Sequence, residues 1–387
     1  MTTVFKNSFQ RIVSTKTTNH SFNLLFLFFL IFHAQNCSSL FKTTTPVEFN
    51  YPDKVRIKLA TITSPIHIES EGPIRVTVKN KKQNHEGSFA YFPEEYVSGD
   101  KVFLEPKKGI FKINGKEYRG TLEIYRTPKD ALAINHILLE DYLLSVVPSE
   151  MPASWHIEAL KAQAVAARSY AAFHINNSKS SLYDMETDTN SQMYTGIKTE
   201  NPNSTRAVRE TKSMVLVYND KPINAFFHSH SGGVTESPEK VWGQKLGYLK
   251  SVKSEYCNVS KPLEWEIKFD SSTLSSKLNK FGVGEISEIK ILDTTPSGRV
   301  ASLSIQGENG NILVSGQDFR SLIGSTRIKS LLFDIVDNEN YFHFKGKGYG
   351  HGVGMSQHGS WGMAMNNFKY EDILKYYYKD VNLVKAR

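Results

Sequence analysis

The chain has 387 residues, of which 40% are hydrophobic and 22% are charged, and its formal net charge is +8. This composition excludes a disordered or low-complexity chain, and the length predicts two or three folded units. Because the positive charges are spread along the sequence without a clustered basic block or a recognisable module, we expect no nucleic-acid partner.

Residues 1–36 have the features of an export signal. Three basic residues and no acidic residue accompany the nine-residue apolar run LLFLFFLIF, which is shorter than the roughly 20 residues that a membrane-spanning helix needs. Cys37 follows where a lipoprotein signal places its acylated cysteine, although the preceding Ala-Gln-Asn departs from the usual box. Two alternatives stay open: a lipid anchor on Cys37, or a plainly cleaved signal with an incidental cysteine. Loss of the leader's three charges lowers the net charge from +8 to +5, and residues 37–54 are predicted to be a polar tether.

Residues 55–126 are predicted to form antiparallel β structure. Hydrophobic and polar residues alternate from Val55 to Leu59 and again from Ile74 to Val78, which is the pattern of a strand with one buried face. The segment FKINGKEY, residues 111–118, contains an Asn-Gly pair, the strongest short-range signal for a β-hairpin. The N-terminal part of the fold is therefore expected to be β-rich.

The segment VVPSEMPA, residues 146–153, holds one glutamate between two prolines and two predicted helices. The first helix, within residues 137–147, is expected to end at Pro148, which has no amide hydrogen. The second runs from about residue 153 to 175 and is rich in alanine, so neighbouring elements can pack closely against it. Glu150 is thus predicted at or just before the N-terminus of the second helix.

Two interpretations of Glu150 are open. In the first, Ser149 or Glu150 caps the second helix, where a side-chain oxygen satisfies free amides and a negative charge is favoured. In the second, the flanking prolines fix a general acid, which must be held very precisely against the atom that it protonates. The turn alone does not decide between them.

The segment KGKGYGHGVGMSQHG, residues 345–359, has glycine at every second position from 346 to 354. In an extended strand this period puts all five glycines on one face, so that either a neighbouring element or a flat ligand such as a glycan could approach the backbone. The spacing fits neither a phosphate loop nor the dinucleotide fingerprint, and no nucleotide cofactor is expected.

A third cluster, FFHSHSGGVTESPEKVW, covers residues 226–242. His228 and His230 share a face if this segment is extended, and with Cys257 they are weak candidates for zinc ligands because the ligand set is incomplete. The alternative is that these histidines and serines line a polar groove or bond to one another. With only Cys257 left after Cys37, no disulfide framework is expected if Cys37 is acylated.

The remaining segments complete a predicted α+β fold. Strands are predicted within residues 260–335, with turns at 296–298 and 308–310 and a short helix at about 319–323. A closing helix is predicted for residues 370–379. The fold class is therefore α+β: a β-rich N-terminal part, a central helical core with the alanine-rich helix, and further β structure and a C-terminal helix that form a groove.

Together, the segments VVPSEMPASWHIEALKAQAVAARSYA, FFHSHSGGVTES followed by VW, and GYGHGVGMSQHG resemble the stage II sporulation protein D / amidase enhancer LytB family over roughly residues 55–385. The resemblance implies a catalytic region at 127–387, with a β-rich insertion at about 260–335, that cleaves peptidoglycan glycan strands as a lytic transglycosylase. Such an enzyme lets the C6 hydroxyl of N-acetylmuramic acid attack and leaves a 1,6-anhydro product, so one carboxylate suffices where an ordinary glycosidase uses two. Glu150 matches the family's catalytic glutamate, and a surround of the alanine-rich helix and Trp155 is expected to raise its pKa.

The resemblance also implies where the protein acts and with what. The residues expected to contact the glycan are Gln163, Arg168, Ser231, His351, Ser356 and Gln357. Some sporulation members of the family bind zinc. Apart from zinc at His228, His230 and Cys257, which stays an alternative, no cofactor is expected here. We expect an exported protein of the periplasm or cell envelope, tethered to the membrane if Cys37 is acylated. The competing role is a non-catalytic, peptidoglycan-binding enhancer of an N-acetylmuramoyl-L-alanine amidase.

Overall fold

The computed structural model describes residues 51–188, 191–259, 263–338 and 341–386, all within one unit that begins at Pro46. The predicted leader, Cys37 and the tether as far as residue 50 lie outside the described residues, and these predictions stay open. Tyr51 already belongs to the folded part, since its hydroxyl donates to Glu140 at 3.1 Å, so the tether ends before residue 54. In the part of the chain that is described, no helix is both long and apolar enough to cross a bilayer.

The strands are mostly short and antiparallel. In chain order they are β1 (Lys54–Ile62), β2 (Ile66–Glu69), β3 (Ile74–Val78), β4 (Lys81–His85), β5 (Ser88–Tyr91), β6 (Lys101–Pro106), β7 (Ile110–Ile113), β8 (Lys116–Arg119), β9 (Thr121–Arg126), β10 (Ala131–Leu138), β11 (Met185–Glu186), β12 (Met214–Tyr218), β13 (Lys221–Pro222), β14 (Phe227–His228), β15 (Glu264–Phe269), β16 (Ile286–Thr294), β17 (Val300–Gly307), β18 (Gly310–Ser315), β19 (Phe333–Asn338), β20 (Tyr341–Lys347), β21 (Met355–Ser356) and β22 (Asn382–Lys385).

The helices carry four of the predicted site residues, Glu150, Gln163, Arg168 and Gln357. In chain order they are α1 (Leu139–Glu150), α2 (Ile157–Asn176), α3 (Pro202–Glu210), α4 (Pro238–Trp242), α5 (Ser271–Leu278), α6 (Gly316–Ile323), α7 (Gln357–Met365) and α8 (Tyr370–Tyr377). The predicted alanine-rich, closing and short helices are confirmed as α2, α8 and α6, whereas α3, α4, α5 and α7 were not predicted.

The N-terminal strands lie in two sheets that are antiparallel, as the alternating pattern predicted, except that β11 joins the first sheet parallel to β1. One has the strand order β11-β1-β10-β9-β6-β3-β4 and the other the order β5-β2-β7-β8. The hairpin between β7 and β8 turns at Asn114 and Gly115, whose φ angles of 50° and 74° are those of the Asn-Gly turn. Because β9 pairs with β10, the boundary predicted between residues 126 and 127 falls inside a sheet.

Helix α2 is the centre of the larger hydrophobic core. Its alanines from Ala159 to Ala172 are fully buried, and the small side chains let α1, α3, α7 and α8 pack against it. Helices α1 and α7, which carry the first and third sequence motifs, therefore meet on the same support.

Residues 263–347 form a β-rich part with a hydrophobic core of its own. The sheets β15-β20-β19 and β16-β17-β18 enclose this second core, which extends from Trp265 to Phe344 and so reaches beyond the predicted limit at 335. Arg299 links it to the larger core through hydrogen bonds to the carbonyls of Ser231 (2.7 Å) and Val234 (3.1 Å).

The glycine-rich segment is a strand only as far as Lys347, so the predicted single extended strand is wrong. From Gly348 to Gly354 each alternate glycine has φ between 73° and 109°, a region that other residues rarely adopt. A Cβ on Gly352 would lie 2.6 Å from the Arg299 guanidinium, and one on Gly354 would collide with the carbonyl oxygen of Phe226. The close approach predicted for this face is made by a neighbouring element of the protein.

Replacing Gly354 with alanine is therefore expected to lower the free energy of unfolding by about 1–3 kcal/mol, because both the φ angle and the new methyl group are unfavourable. Urea unfolding of the variant would measure this loss. Gly99→Ala is the matched control, since Gly99 also has a positive φ of 95° but has nothing within 4 Å of a Cβ. Equal losses in the two variants would contradict the role of close packing.

Candidate functional site

Glu150 is the last residue of α1, and this corrects its predicted place at the start of the second helix. Pro148 lies inside α1, which continues because the Ser149 hydroxyl donates to the Ser145 carbonyl (2.8 Å) and the Met151 amide donates to the Val147 carbonyl (3.0 Å). The chain then becomes extended at Met151. The first proline thus does not end the helix.

The capping interpretation of Glu150 does not fit this geometry. Helix α2 is capped by His156, whose Nδ1 accepts a hydrogen bond from the Glu158 amide at 3.3 Å. A carboxylate at the C-terminal end of α1 meets the negative end of the helix dipole, where it is disfavoured. Helix stability therefore gives no reason for a glutamate at this position.

The Glu150 carboxylate is partly buried and fixed. Its Oε1 accepts a hydrogen bond from the Met193 amide at 2.8 Å. Burial raises the pKa of Glu150, while the Met193 amide and the Gln357 side chain act in the opposite direction. Tyr170 of α2 is close enough that burial, together with the Glu150 charge, raises its pKa to about 12. The site holds a carboxyl group that is protonated more readily than an exposed one.

Gln357 and Gln163 join the first and third motifs at this carboxylate. Gln357, the first residue of α7, lies against Glu150 and its Nε2 is 3.5 Å from Oε1 of Gln163. Gln163 is fully buried on α2 and its Nε2 has no hydrogen-bond partner within the described residues. Of the predicted glycan contacts, these two are therefore placed beside Glu150.

Arg168 is placed differently, and its predicted contact with glycan is not supported. The side chain is fully buried. It makes a two-pronged ion pair with Glu140, with both N–O distances at 2.9 Å, and donates to the carbonyls of Val208 and Met214. All of these partners are internal, so Arg168 holds α1, α2 and the start of β12 together.

Ser231 and Ser356 are also interior residues rather than groove residues. Both are fully buried, and their hydroxyls lie 3.1 and 3.2 Å from the Cys257 sulfur. Ser356 also caps α7 by accepting from the Gly359 amide at 3.2 Å. Their predicted contact with glycan is therefore corrected to a packing and capping role.

The three weak metal candidates do not form one ligand set. Cys257 faces serines, whereas His228 packs against His351 and His230 against His358, with ring centroids 5.6 and 5.1 Å apart. Burial lowers the pKa of both His230 and His351 to about 4. Across the described ranges, no group of three or more His, Cys, Asp or Glu side chains is placed to hold a metal ion.

His351 belongs to an aromatic cluster at the surface of this region. Its ring lies 5.1 Å from Trp242, which is 45% exposed, and 6.0 Å from Phe226. Phe226 in turn packs edge-on against Tyr170 at 6.1 Å. Aromatic side chains therefore lead from the neighbourhood of Glu150 to the surface.

A second aromatic group near Glu150 was not predicted as a site. Trp155 and Trp361 are stacked, with ring centroids 5.1 Å apart and planes 15° from parallel. Trp361 is four residues after Gln357, a spacing that places both on one face of a helix. In the sequence, the four-residue spacing was the only signal that linked Trp361 to Gln357. It indicates a shared face only if the segment after Ser356 is helical.

Comparison with known proteins gives the class to which this fold and site belong. A family model described as stage II sporulation protein matches residues 127–218, and one described as a domain of unknown function matches residues 241–354. An uncharacterized protein of Brachyspira hyodysenteriae is 33% identical, over 85% of this chain and 92% of its own length. Stage II sporulation protein D of Bacillus subtilis is 34% identical over 69% of this chain and 79% of its own length. The amidase enhancer of the same organism is 29% identical over 75% of this chain and 46% of its own length.

The chain therefore belongs to the stage II sporulation protein D family, which confirms the resemblance found in its three motifs.

Proposed function

We propose that this protein is a lytic transglycosylase that cleaves peptidoglycan glycan strands, with Glu150 as the general acid and base. The observation that carries the proposal is a single fixed carboxylate with a raised pKa at the junction of the first and third motifs. Within the described residues, the hydrogen bonds to this carboxylate come from the Met193 amide and the Gln357 side chain. Hydrolysis by the usual glycosidase routes requires two carboxyl groups.

The chemistry balances with one carboxyl group. Protonated Glu150 gives its proton to the glycosidic oxygen that leaves C1 of N-acetylmuramic acid. The C6 hydroxyl of the same sugar then forms the new bond to C1, and the Glu150 carboxylate removes the hydroxyl proton, which restores the acid. The product is a 1,6-anhydro end, and no water is consumed.

The residues around Glu150 supply orientation for these steps. The Met193 amide holds one carboxylate oxygen, and Gln357, supported by Gln163, lies against the carboxylate. A fixed acid loses less of its effect to misalignment than a mobile one. We place this activity in the cell envelope, with export directed by residues 1–36 and a membrane tether at Cys37.

A second candidate is a non-catalytic protein that binds glycan strands and enhances an amidase. It is favoured by the likeness to a relative that is named an amidase enhancer. Such a protein needs a glycan-binding surface but no acid at Glu150.

Product analysis by mass spectrometry separates the two candidates. The purified protein is incubated with intact glycan strands and with strands whose stem peptides have been removed. New 1,6-anhydro-muramic ends on either substrate support the transglycosylase. Binding without cleavage, together with faster release of peptides when an N-acetylmuramoyl-L-alanine amidase is added, overturns it in favour of the enhancer.

A further inference from the structure

Helix α7 has two dissimilar faces next to the Glu150 site. Gly359 and Gly362 face the core, where an added Cβ would collide with the Tyr377 hydroxyl and the Tyr256 carbonyl. The largest side chain of the helix, Trp361, also packs against the larger core but is only partly buried. The core thus excludes even a methyl group at the two glycines, whereas Trp361 covers the core and leaves part of its ring exposed.

Trp361 is one half of a small aromatic surface, which we call the indole pair and define as Trp155 and Trp361. The two indoles are stacked at 5.1 Å, and His358 meets Trp155 edge-on at 4.8 Å. The His358 ring is itself held, because its Nδ1 is 2.9 Å from the Ser229 carbonyl oxygen. Three neighbouring rings are thus fixed in one place, each partly exposed.

The indole pair is tied to Glu150 from both sides. On α7, Gln357 lies against the Glu150 carboxylate, and Trp361 follows four residues later, a rise of about 6 Å along the helix. On the other side, the turn after Glu150 is closed by the Trp155 amide, which donates to the Pro152 carbonyl at 3.0 Å. Pro152 thus starts the turn that brings Trp155 back beside α7.

Partly exposed indoles beside a partly buried acid fit a sugar ligand. A hexose ring has one face of C–H groups, which packs on a flat aromatic ring, and a rim of hydroxyls, which stay hydrogen-bonded. Tryptophan offers the largest such flat surface and loses little conformational entropy when it binds.

We propose that the indole pair is a sugar-binding subsite, at which the saccharide next to the bond cleaved at Glu150 stacks on the outer face of one indole while the other indole supports that ring from behind. This inference rests on the proposed glycan substrate and adds the residues that set the position of the strand. The subsite binds the strand whether or not it is cleaved.

Binding is measured in the Glu150→Gln protein, so that the ligand is not consumed, with peptide-free strands of alternating N-acetylglucosamine and N-acetylmuramic acid. Trp361→Ala and Trp155→Ala are each expected to raise Kd about tenfold, because either substitution removes the stacking face or the ring that supports it. Trp361→Phe retains most of the affinity, whereas Trp361→Leu, which keeps bulk without a flat ring, does not. Phe103→Ala is the matched control, because Phe103 is 36% exposed and contacts a histidine, His136, in the N-terminal sheet.

The outcomes separate this inference from the proposed function. Equal affinity of the Phe and Leu variants, both with an unchanged Tm, overturns the subsite even if the wild-type protein produces 1,6-anhydro ends. If Trp361→Leu loses binding and Trp361→Phe does not, the subsite is supported even when no cleavage is found. The protein would then be an enhancer that binds its glycan at the indole pair.

Discussion

Glu150→Gln is expected to lower the rate of formation of 1,6-anhydro ends by about 10²- to 10⁴-fold, the range that a general acid or base contributes. Glutamine has nearly the same shape and can still accept a hydrogen bond from the Met193 amide, but it has no proton of suitable acidity to give. Affinity for peptide-free strands should change little, because the lost interaction belongs to the transition state. Anhydro ends counted by mass spectrometry over time would measure the rate.

The same substitution is expected to leave the protein as stable as the wild type, or more stable, at neutral pH. Burial raises the pKa of Glu150 in the folded protein, so the folded state holds its proton more tightly than the unfolded state. The stability of the wild type therefore falls as pH rises from the unfolded to the folded pKa, and remains lowered above it. Glutamine does not ionise and avoids that loss.

The pH dependence gives an independent check on the acid. Cleavage should decrease as pH rises through the raised pKa of Glu150, since the protonated carboxyl starts the reaction. A Glu150→Gln protein that still formed anhydro ends at the wild-type rate would rule out this residue as the acid.

Glu140→Ala is expected to cost about 3–5 kcal/mol in the free energy of unfolding, the largest loss of stability predicted here. Arg168 is fully buried and its charge is balanced by both oxygens of Glu140 at 2.9 Å. Removal of the carboxylate leaves that charge without its counterion, and also removes an acceptor for the Ser213 amide and the Tyr51 hydroxyl. Urea unfolding would measure the change.

Two further variants show whether the unpaired charge of Arg168 causes the loss of stability in Glu140→Ala. Arg206→Ala breaks the exposed Arg206–Glu210 pair and should cost only about 0.3–0.5 kcal/mol. In the double variant Glu140→Leu/Arg168→Met both charges are absent, and much of the stability should return. If Glu140→Ala were as stable as the Arg206 variant, the ion pair would not be what holds these helices together.

Patterns within single segments of the sequence determined many of the strands, helices and motifs of this protein. The Asn-Gly hairpin, the strands of the second core and the closing helix follow from hydrophobic period and turn residues, which act over a few positions. The alanines of α2 correctly predicted a helix with close neighbours. Glu150 was predicted as a candidate because two prolines flank it. The family of the protein was recognised from three short motifs.

Only the tertiary structure decided what those motif residues do. Arg168, Ser231 and Ser356 look like polar groove residues in the sequence, yet they are buried among partners that come from distant parts of the chain. Helix α1 continues through Pro148 because bonds from Ser149 and Met151 complete its last turn. The alternating glycines adopt positive φ angles against Phe226 and Arg299, which no local period specifies. Likewise, Glu150, Gln357 and the indole pair come together only because α1 and α7 pack on α2, and such long-range packing is not encoded in any one segment.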